Sequence, residues 1–368
     1  MAEGAGLENR YTLAGIVGSN PTLSVVPVHL PREPPPVNST VDALSGCLLG
    51  QALGDALGFV VEAKPPAVAR EYVEQCLLAG RAGEQSHSGF PFGQYTDDTQ
   101  LARELVLSFA EAGRWSPDGF ARRLAALFGE ARDVGAGPGT RSAAMRLLGG
   151  AHWSRSGTPS PYAGNGSAMR AAPLGLLFGR DTRAMVEATI EQSLLTHGDP
   201  RCTAGALAVA AAVWLAAHRR PIAIERFVDG VAAFAAIADP SVAEAVRGLR
   251  QWAHLPPVEA AAYLHARRPD PDLVGEWQGI PALVTPSVVW SLYAFLRAPE
   301  DYWTAVCSAI TVGGDTDTMA AIAGAISGAR LGPGALPPAL LDRLTDRGGW
   351  GRAPLDQLAR RAALLVRG

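Results

Sequence analysis

At 368 residues and 48% apolar content, the chain can bury one large core or two ordinary ones, so length alone does not fix its domain count. The 32 basic and 35 acidic side chains leave a formal charge of −3 with no long run of one sign, which argues against a nucleic-acid partner. Four scattered cysteines form no CxxC pair, so a thiolate zinc site or a disulfide framework is set aside in favour of reduced thiols and a cytoplasmic setting.

Residues 1–40 hold no sustained helical period and close on Pro31-Arg32-Glu33-Pro34-Pro35-Pro36, a stiff polyproline-like stretch. They are expected to be a poorly structured N-terminal extension ahead of a domain spanning 41–368. No basic start leads into an apolar segment there, so no secretory leader is expected. Asn38-Ser39-Thr40 then offers capping residues, and a helical pattern begins at Val41. Ala/Leu-rich segments and Gly/Pro loops alternate from there on. They predict helices over 41–59, 98–112, 118–130, 141–150, 182–195, 202–218, 223–237, 241–253, 286–297, 301–311, 317–331 and 355–366. Strand-like alternation is scarce and no βαβ rhythm appears, so the fold class is all-α, one compact helical domain. The small-residue run Ala204–Ala217 is too short to cross a bilayer and reads as a core helix, so no membrane partner is expected. Lys64 is the sole lysine and follows no GxxxxG run, which removes a Walker-type phosphate loop.

Glycines recur at every fourth position in two places: Gly46, Gly50, Gly54 and Gly58, then Gly324, Gly328 and Gly332. Four-residue spacing keeps them near one helix face. Each interior glycine costs about 1 kcal/mol against alanine. Close approach of a second backbone offsets that, so the pattern predicts helices packed at short range in the centre of the molecule.

Two acidic clusters stand directly before predicted helices: Tyr95-Thr96-Asp97-Asp98-Thr99 and Gly313-Gly314-Asp315-Thr316-Asp317-Thr318. One Asp or Thr suffices to cap a helix, yet each cluster supplies two carboxylates and two hydroxyls. Crowded carboxylates repel unless a cation relieves them. All-oxygen donors without His or Cys suit a hard ion, Mg²⁺ or Mn²⁺, and two clusters can hold two ions about 3.5–4 Å apart. A third segment, Gly164-Asn165-Gly166-Ser167-Ala168-Met169-Arg170, is rich enough in glycine to form an anion-binding nest. Thr196-His197-Gly198-Asp199 and Gly135-Ala136-Gly137-Pro138-Gly139-Thr140 also precede helices; taken singly, each fits a structural histidine or a plain connection.

In this order, Gly50-x-x-x-Gly54-Asp55-Ala56-x-Gly58, Glu62, Thr96 to Thr99, Gly164 to Arg170, Thr196-His197 and Gly313 to Thr318 resemble the ADP-ribosylglycohydrolase family from about Val41 to Gly332. The resemblance implies a compact all-α fold with a dinuclear Mg²⁺ or Mn²⁺ centre and hydrolysis of the bond between ADP-ribose and a protein or small-molecule acceptor. It implies Thr96, Asp97, Asp98, Asp315, Asp317, Thr318 and Glu62 as metal ligands. Asp98 and Glu62 are the expected acid/base carboxylates. Asp97, Gly164, Asn165, Gly166, Ser167, Met169, Arg170 and His197 are expected to hold the substrate, with the glycine segment and His197 at its phosphates and distal ribose. Residues 1–40 have no counterpart in the family core, and 272–285 offers no motif to carry over. Two rival classes remain: a non-catalytic ADP-ribose-binding relative, and a Mg²⁺-dependent terpene-cyclase-like enzyme, whose DDxxD run is missing here. The acceptor and the oligomeric state are not written in these motifs.

Overall fold

The side chain of Ser39 accepts a hydrogen bond from the backbone N–H of Asp42 and caps α1, Thr40–Phe59. The structure is a computed structural model that describes residues 39–268, 270, 272 and 278–366; of the extension expected over 1–40, residues 1–38 lie outside them, and Ser39 and Thr40 belong to the cap and first turn of α1. The helices that follow are α2 (Pro66–Tyr72), α3 (Asp97–Ala112), α4 (Pro117–Gly129), α5 (Pro138–Leu148), α6 (Leu174–Leu177), α7 (Thr182–Leu194) and α8 (Pro200–His218). They continue with α9 (Ile224–Ala235), α10 (Pro240–Trp252), α11 (Pro257–Arg267), α12 (Val284–Arg297), α13 (Tyr302–Ile310), α14 (Thr316–Leu331), α15 (Pro338–Leu341) and α16 (Arg352–Ala363). Among the described residues there are no strands beyond isolated β-bridges, so the fold is all-α.

At the centre, α1 and α14 run antiparallel with their backbones in contact. A Cβ on Gly46 would overlap the carbonyl of Gly328, one on Gly50 that of Gly324, one on Gly54 that of Ala320 and one on Gly58 that of Thr316. The four-residue glycine spacing therefore marks a seam in which each helix leaves room for the other's carbonyls. Two side chains fasten it: Tyr302 Oη donates to the Gly50 carbonyl and Thr316 Oγ1 to the Gly58 carbonyl, both at 2.8 Å. From Ala43 to Phe59, and from Thr316 to Arg330, every residue is buried, so both helices are enclosed on all sides. Their residues are mostly apolar or small, with Gln51, Asp55, Asp317 and Arg330 as the long or charged exceptions.

Around this pair, α3 and α16 pack on α1, while α8, α12 and α13 pack on α14. One continuous core cluster extends from Ala43 to Ala363. The Ala204–Ala217 run belongs to a longer helix than expected. With 19 residues, α8 meets the length and apolarity needed to cross a membrane, but 89% of its apolar window is buried inside the fold against α7, α9, α12 and α14. That burial fits a core helix.

Candidate functional site

The seam sets where the ends of α1 and α14 meet. After Phe59 the chain turns through Glu62 and Ala63, whose φ of 58° is unusual for a residue with a side chain. The Ala63 N–H donates to the Gly314 carbonyl at 2.8 Å, and the Gly314 N–H returns the bond to the Lys64 carbonyl at 2.9 Å. Gly313 and Gly314 take φ of 71° and 81°, the left-handed region that glycine adopts without strain. On their other side the Asp315 N–H donates to the Ile280 carbonyl at 2.7 Å. Three chain segments thus hold Glu62 beside the start of α14, and one carboxylate oxygen each from Glu62, Asp315 and Asp317 lies within 4.8 Å of the others.

The facing wall is the start of α3. Asp55, fully buried on α1, accepts from the backbone N–H groups of Thr96 and Thr99 and from the Thr99 hydroxyl at 2.6–3.1 Å. A carboxylate from another helix therefore satisfies the end of α3, and the local acids are released from that task. Thr96 itself accepts from the Asp98 N–H only at 3.4 Å, while its hydroxyl donates to Asp98 Oδ2 at 2.9 Å. On α14, Asp315 occupies the cap position yet makes no capping bond with its side chain. Simple capping does not account for these residues.

The third wall is the loop from Gly164. Asn165 donates to Ser287 Oγ at 3.0 Å and to the carboxylate of Asp315. Neither Gly164 nor Gly166 takes a positive φ, so the expected nest geometry is absent. The glycines serve close packing instead: a Cβ on Gly166 would lie 2.7 Å from Thr140 Oγ1 and 2.8 Å from His197 Cε1, and one on Gly164 would lie 2.8 Å from the Tyr162 ring. Gln51 on α1 ties the walls together, donating to the carbonyls of Asp98 and Met169 at 2.9 Å each.

These walls enclose a cavity of about 150 Å³ lined by Glu62, Asp97, Asp98, Asp315, Asp317, Thr318, Gly164, Asn165, Gly166, Met169 and His197. Three expected site residues do not line it. Thr96 lies behind Asp98, fully buried. Ser167 points away, donating to the Cys202 carbonyl and accepting from the Ser193 hydroxyl. Arg170 lies behind the loop, donating to the Gly166 carbonyl, to the side chain and carbonyl of Gln192, and to Thr196 Oγ1. Residues that sequence reasoning missed are Tyr162, Thr140, Gly135 and Pro138 on the lining, and Asp55 beneath it. The Gly135–Thr140 segment was visible as a glycine-rich loop, but nothing local joined it to the acids.

Electrostatically the cavity is under strain. Burial pushes Glu62 up to about 7, with Asp315 adding to the effect, and burial pushes Asp55 up to about 7 against the pull of its hydrogen bonds. Asp97, Asp98 and Asp317 are raised well above the carboxylate range, by burial first and by their acidic neighbours next. Asp97 Oδ2 and Asp98 Oδ1 are buried with no hydrogen-bond partner among the described residues. Unpaired buried carboxylate oxygens beside three clustered acids are what a bound cation relieves, and the donors are all hard oxygens. The residues present fit a metal centre. His197 differs: burial, with Arg170 nearby, pushes its ring down to about 3, so it is neutral.

An all-α fold joined to an acidic, oxygen-lined cavity defines a helical protein with a candidate metal site, and the comparisons say which kind. The sequence profile of the ADP-ribosylglycohydrolase family matches residues 36–368, and the chain belongs to that family. It is 30% identical to an uncharacterized protein of Archaeoglobus fulgidus over 82% of this chain and 91% of the relative. It is 26% identical to the ADP-ribosylarginine hydrolase Tri1 of Pseudomonas putida over 83% of this chain and 74% of the relative. A solved structure described as an ADP-ribosylglycohydrolase-related protein complex shares the fold, with a TM-score of 0.68 and 24% identity over 89% of this chain and 99% of that one.

Proposed function

We propose that the protein is a metal-dependent hydrolase that cuts the glycosidic bond joining ADP-ribose to an acceptor. The observation that carries this reading is the meeting of the Glu62–Asp315–Asp317 group with the unpaired oxygens of Asp97 and Asp98 in one cavity, in a chain of this family. Glu62, Asp97, Asp98, Asp315, Asp317 and Thr318 would hold magnesium or manganese ions, which supply positive charge for ribose hydroxyls and make water easier to deprotonate.

The remaining chemistry belongs to the chain. Glu62 sits on a turn rather than inside a helix and is only half-buried, so its carboxylate can exchange a proton with water or with the leaving group. Asp98 keeps one oxygen free because Thr96 Oγ1 occupies the other. Asn165 holds Asp315 in place and closes that side of the cavity. His197, whose ring burial keeps neutral, lines the cavity where it can hydrogen-bond the substrate. The relative named as an ADP-ribosylarginine hydrolase makes an arginine acceptor the first to test.

The test is release of free ADP-ribose from arginine-, serine- and acetyl-linked substrates with Mg²⁺, Mn²⁺ or EDTA. Metal-dependent release from at least one substrate is expected. Tight ADP-ribose binding with no release from any of them would make the protein a binding relative and overturn the hydrolase reading.

A further inference from the structure

Arg170 and Thr196 are fully buried, and neither reaches the cavity. Their hydrogen bonds nevertheless determine what His197 presents to it. Arg170 Nη2 lies 2.7 Å from Thr196 Oγ1, and the same oxygen lies 2.8 Å from His197 Nδ1. A guanidinium only donates, so the threonine oxygen accepts from it. That hydroxyl has one proton, and Nδ1 is the acceptor within its reach. If Nδ1 carried the proton instead, the oxygen would accept twice and its own buried proton would have no acceptor, an arrangement with a substantial desolvation penalty.

We infer that Thr196, backed by Arg170, is a positioning residue that locks His197 in the tautomer protonated on Nε2, so that the ring offers the cavity a hydrogen-bond donor. The backbone is fixed to match: the His197 N–H donates to the Ser193 carbonyl at 2.9 Å, and the Thr158 N–H donates to the Thr196 carbonyl at 2.9 Å. The ring packs on Tyr162 with centroids 5.8 Å apart and planes 26° from parallel. Asp199, the nearby carboxylate, is taken up by Arg201 and Ser160 and does not compete for the ring. A donor fixed in this way selects a ligand atom that accepts, such as a phosphate or hydroxyl oxygen, and disfavours an N–H or ammonium group at the same place. That the ligand is ADP-ribose rests on the proposed function; the tautomer does not.

The experiment uses the full chain labelled with ¹⁵N-histidine, with long-range ¹H–¹⁵N correlation spectra at neutral pH and a His197→Gln sample to assign the signal. Wild type and Thr196→Ser are expected to show Nε2–H alone. Thr196→Val is expected to show a mixture or the opposite tautomer, and to bind ADP-ribose about tenfold more weakly by calorimetry, the scale of one hydrogen bond. A wild-type ring protonated on Nδ1, or on both nitrogens, would overturn the inference, and this holds even if Thr196→Val does not fold. So would a Thr196→Val protein with the wild-type tautomer, whatever its affinity, since the threonine would then be merely structural. If wild type fails to bind ADP-ribose, the proposed ligand falls while the spectrum still decides the tautomer.

Discussion

The α1–α14 seam and the acidic cavity are built from the same two helices and obey opposite rules. Along the seam, side chains are removed so that two backbones touch, and the atoms in contact are backbone carbonyls and α-carbons rather than charged groups. In the cavity, carboxylates are crowded out of water and each opposes the ionisation of the next. The first region explains how the second can exist. The Gly58–Thr316 contact and the turn bonded through Lys64 and Gly314 press Glu62 toward Asp315 whether or not those acids repel. Rigid packing therefore holds a locally unfavourable arrangement, as functional sites commonly require.

That contrast can be broken first at the seam. Gly50→Ala places a methyl group inside the Gly324 carbonyl contact, where neither backbone can yield. A loss of about 3 kcal/mol or more is expected in urea unfolding, and Gly50→Val should leave no folded protein. Wild-type stability of Gly50→Ala would show that the helices are not in backbone contact.

A cavity substitution should behave in the reverse sense. Asp317→Asn keeps the volume and removes one buried charge, so turnover should fall by more than about 100-fold, with little rescue by excess Mg²⁺. Helical content should be unchanged, and stability in EDTA equal to or above wild type because repulsion is relieved. A capping role predicts the opposite pattern, intact turnover with a loss of about 1 kcal/mol.

The pH dependence sharpens the point. Glu62 and Asp55 sit near 7 in the folded chain against about 4 when unfolded. Between those values the folded state binds more protons, so the stability these groups lend is full below pH 4 and lost as pH rises through 7. A cation cancels that loss. The melting temperature in Mg²⁺ minus that in EDTA should be at least about 3 °C larger at pH 8 than at pH 5.5. An equal difference at both pH values would remove the crowded-carboxylate account.

Ser167→Ala should have the smallest effect. Its hydroxyl bonds the Cys202 carbonyl and Ser193, behind the loop. Calorimetry should find unchanged ADP-ribose affinity, with a stability loss of about 1 kcal/mol. Weakened binding would place Ser167 in the cavity after all.

Much of this was legible in the chain. The glycine spacing foretold the seam because a period of four is a local signal. Predicted windows opened late at Pro117, Pro138, Pro200 and Pro240, since proline read as loop when it sits at the first helical position. Helices α2, α6, α11 and α15 were missed altogether: α6 and α15 span one turn each, and only Ala260 and Leu264 are buried along α11, too few for a periodic stripe. In the site, the two acidic clusters were legible because each is contiguous. Asp55 was read only as part of a motif, although it satisfies the start of α3 from 41 residues away. Ser167 and Arg170 looked like cavity residues because position within a motif does not reveal which way a side chain turns.

The seam also constrains how the chain can drift in length. One residue added inside α1 between Gly46 and Gly58 would swing everything beyond it by about 100° and advance it by about 1.5 Å. The glycine row would leave its groove, and Glu62 would leave Asp315 in the same stroke. Additions between helices, such as at Arg219–Ala223 after α8, cross no such register. The spacing of Gly46, Gly50, Gly54 and Gly58 from Glu62 is thus a fixed ruler, and relatives that keep the cavity should vary in length only between helices.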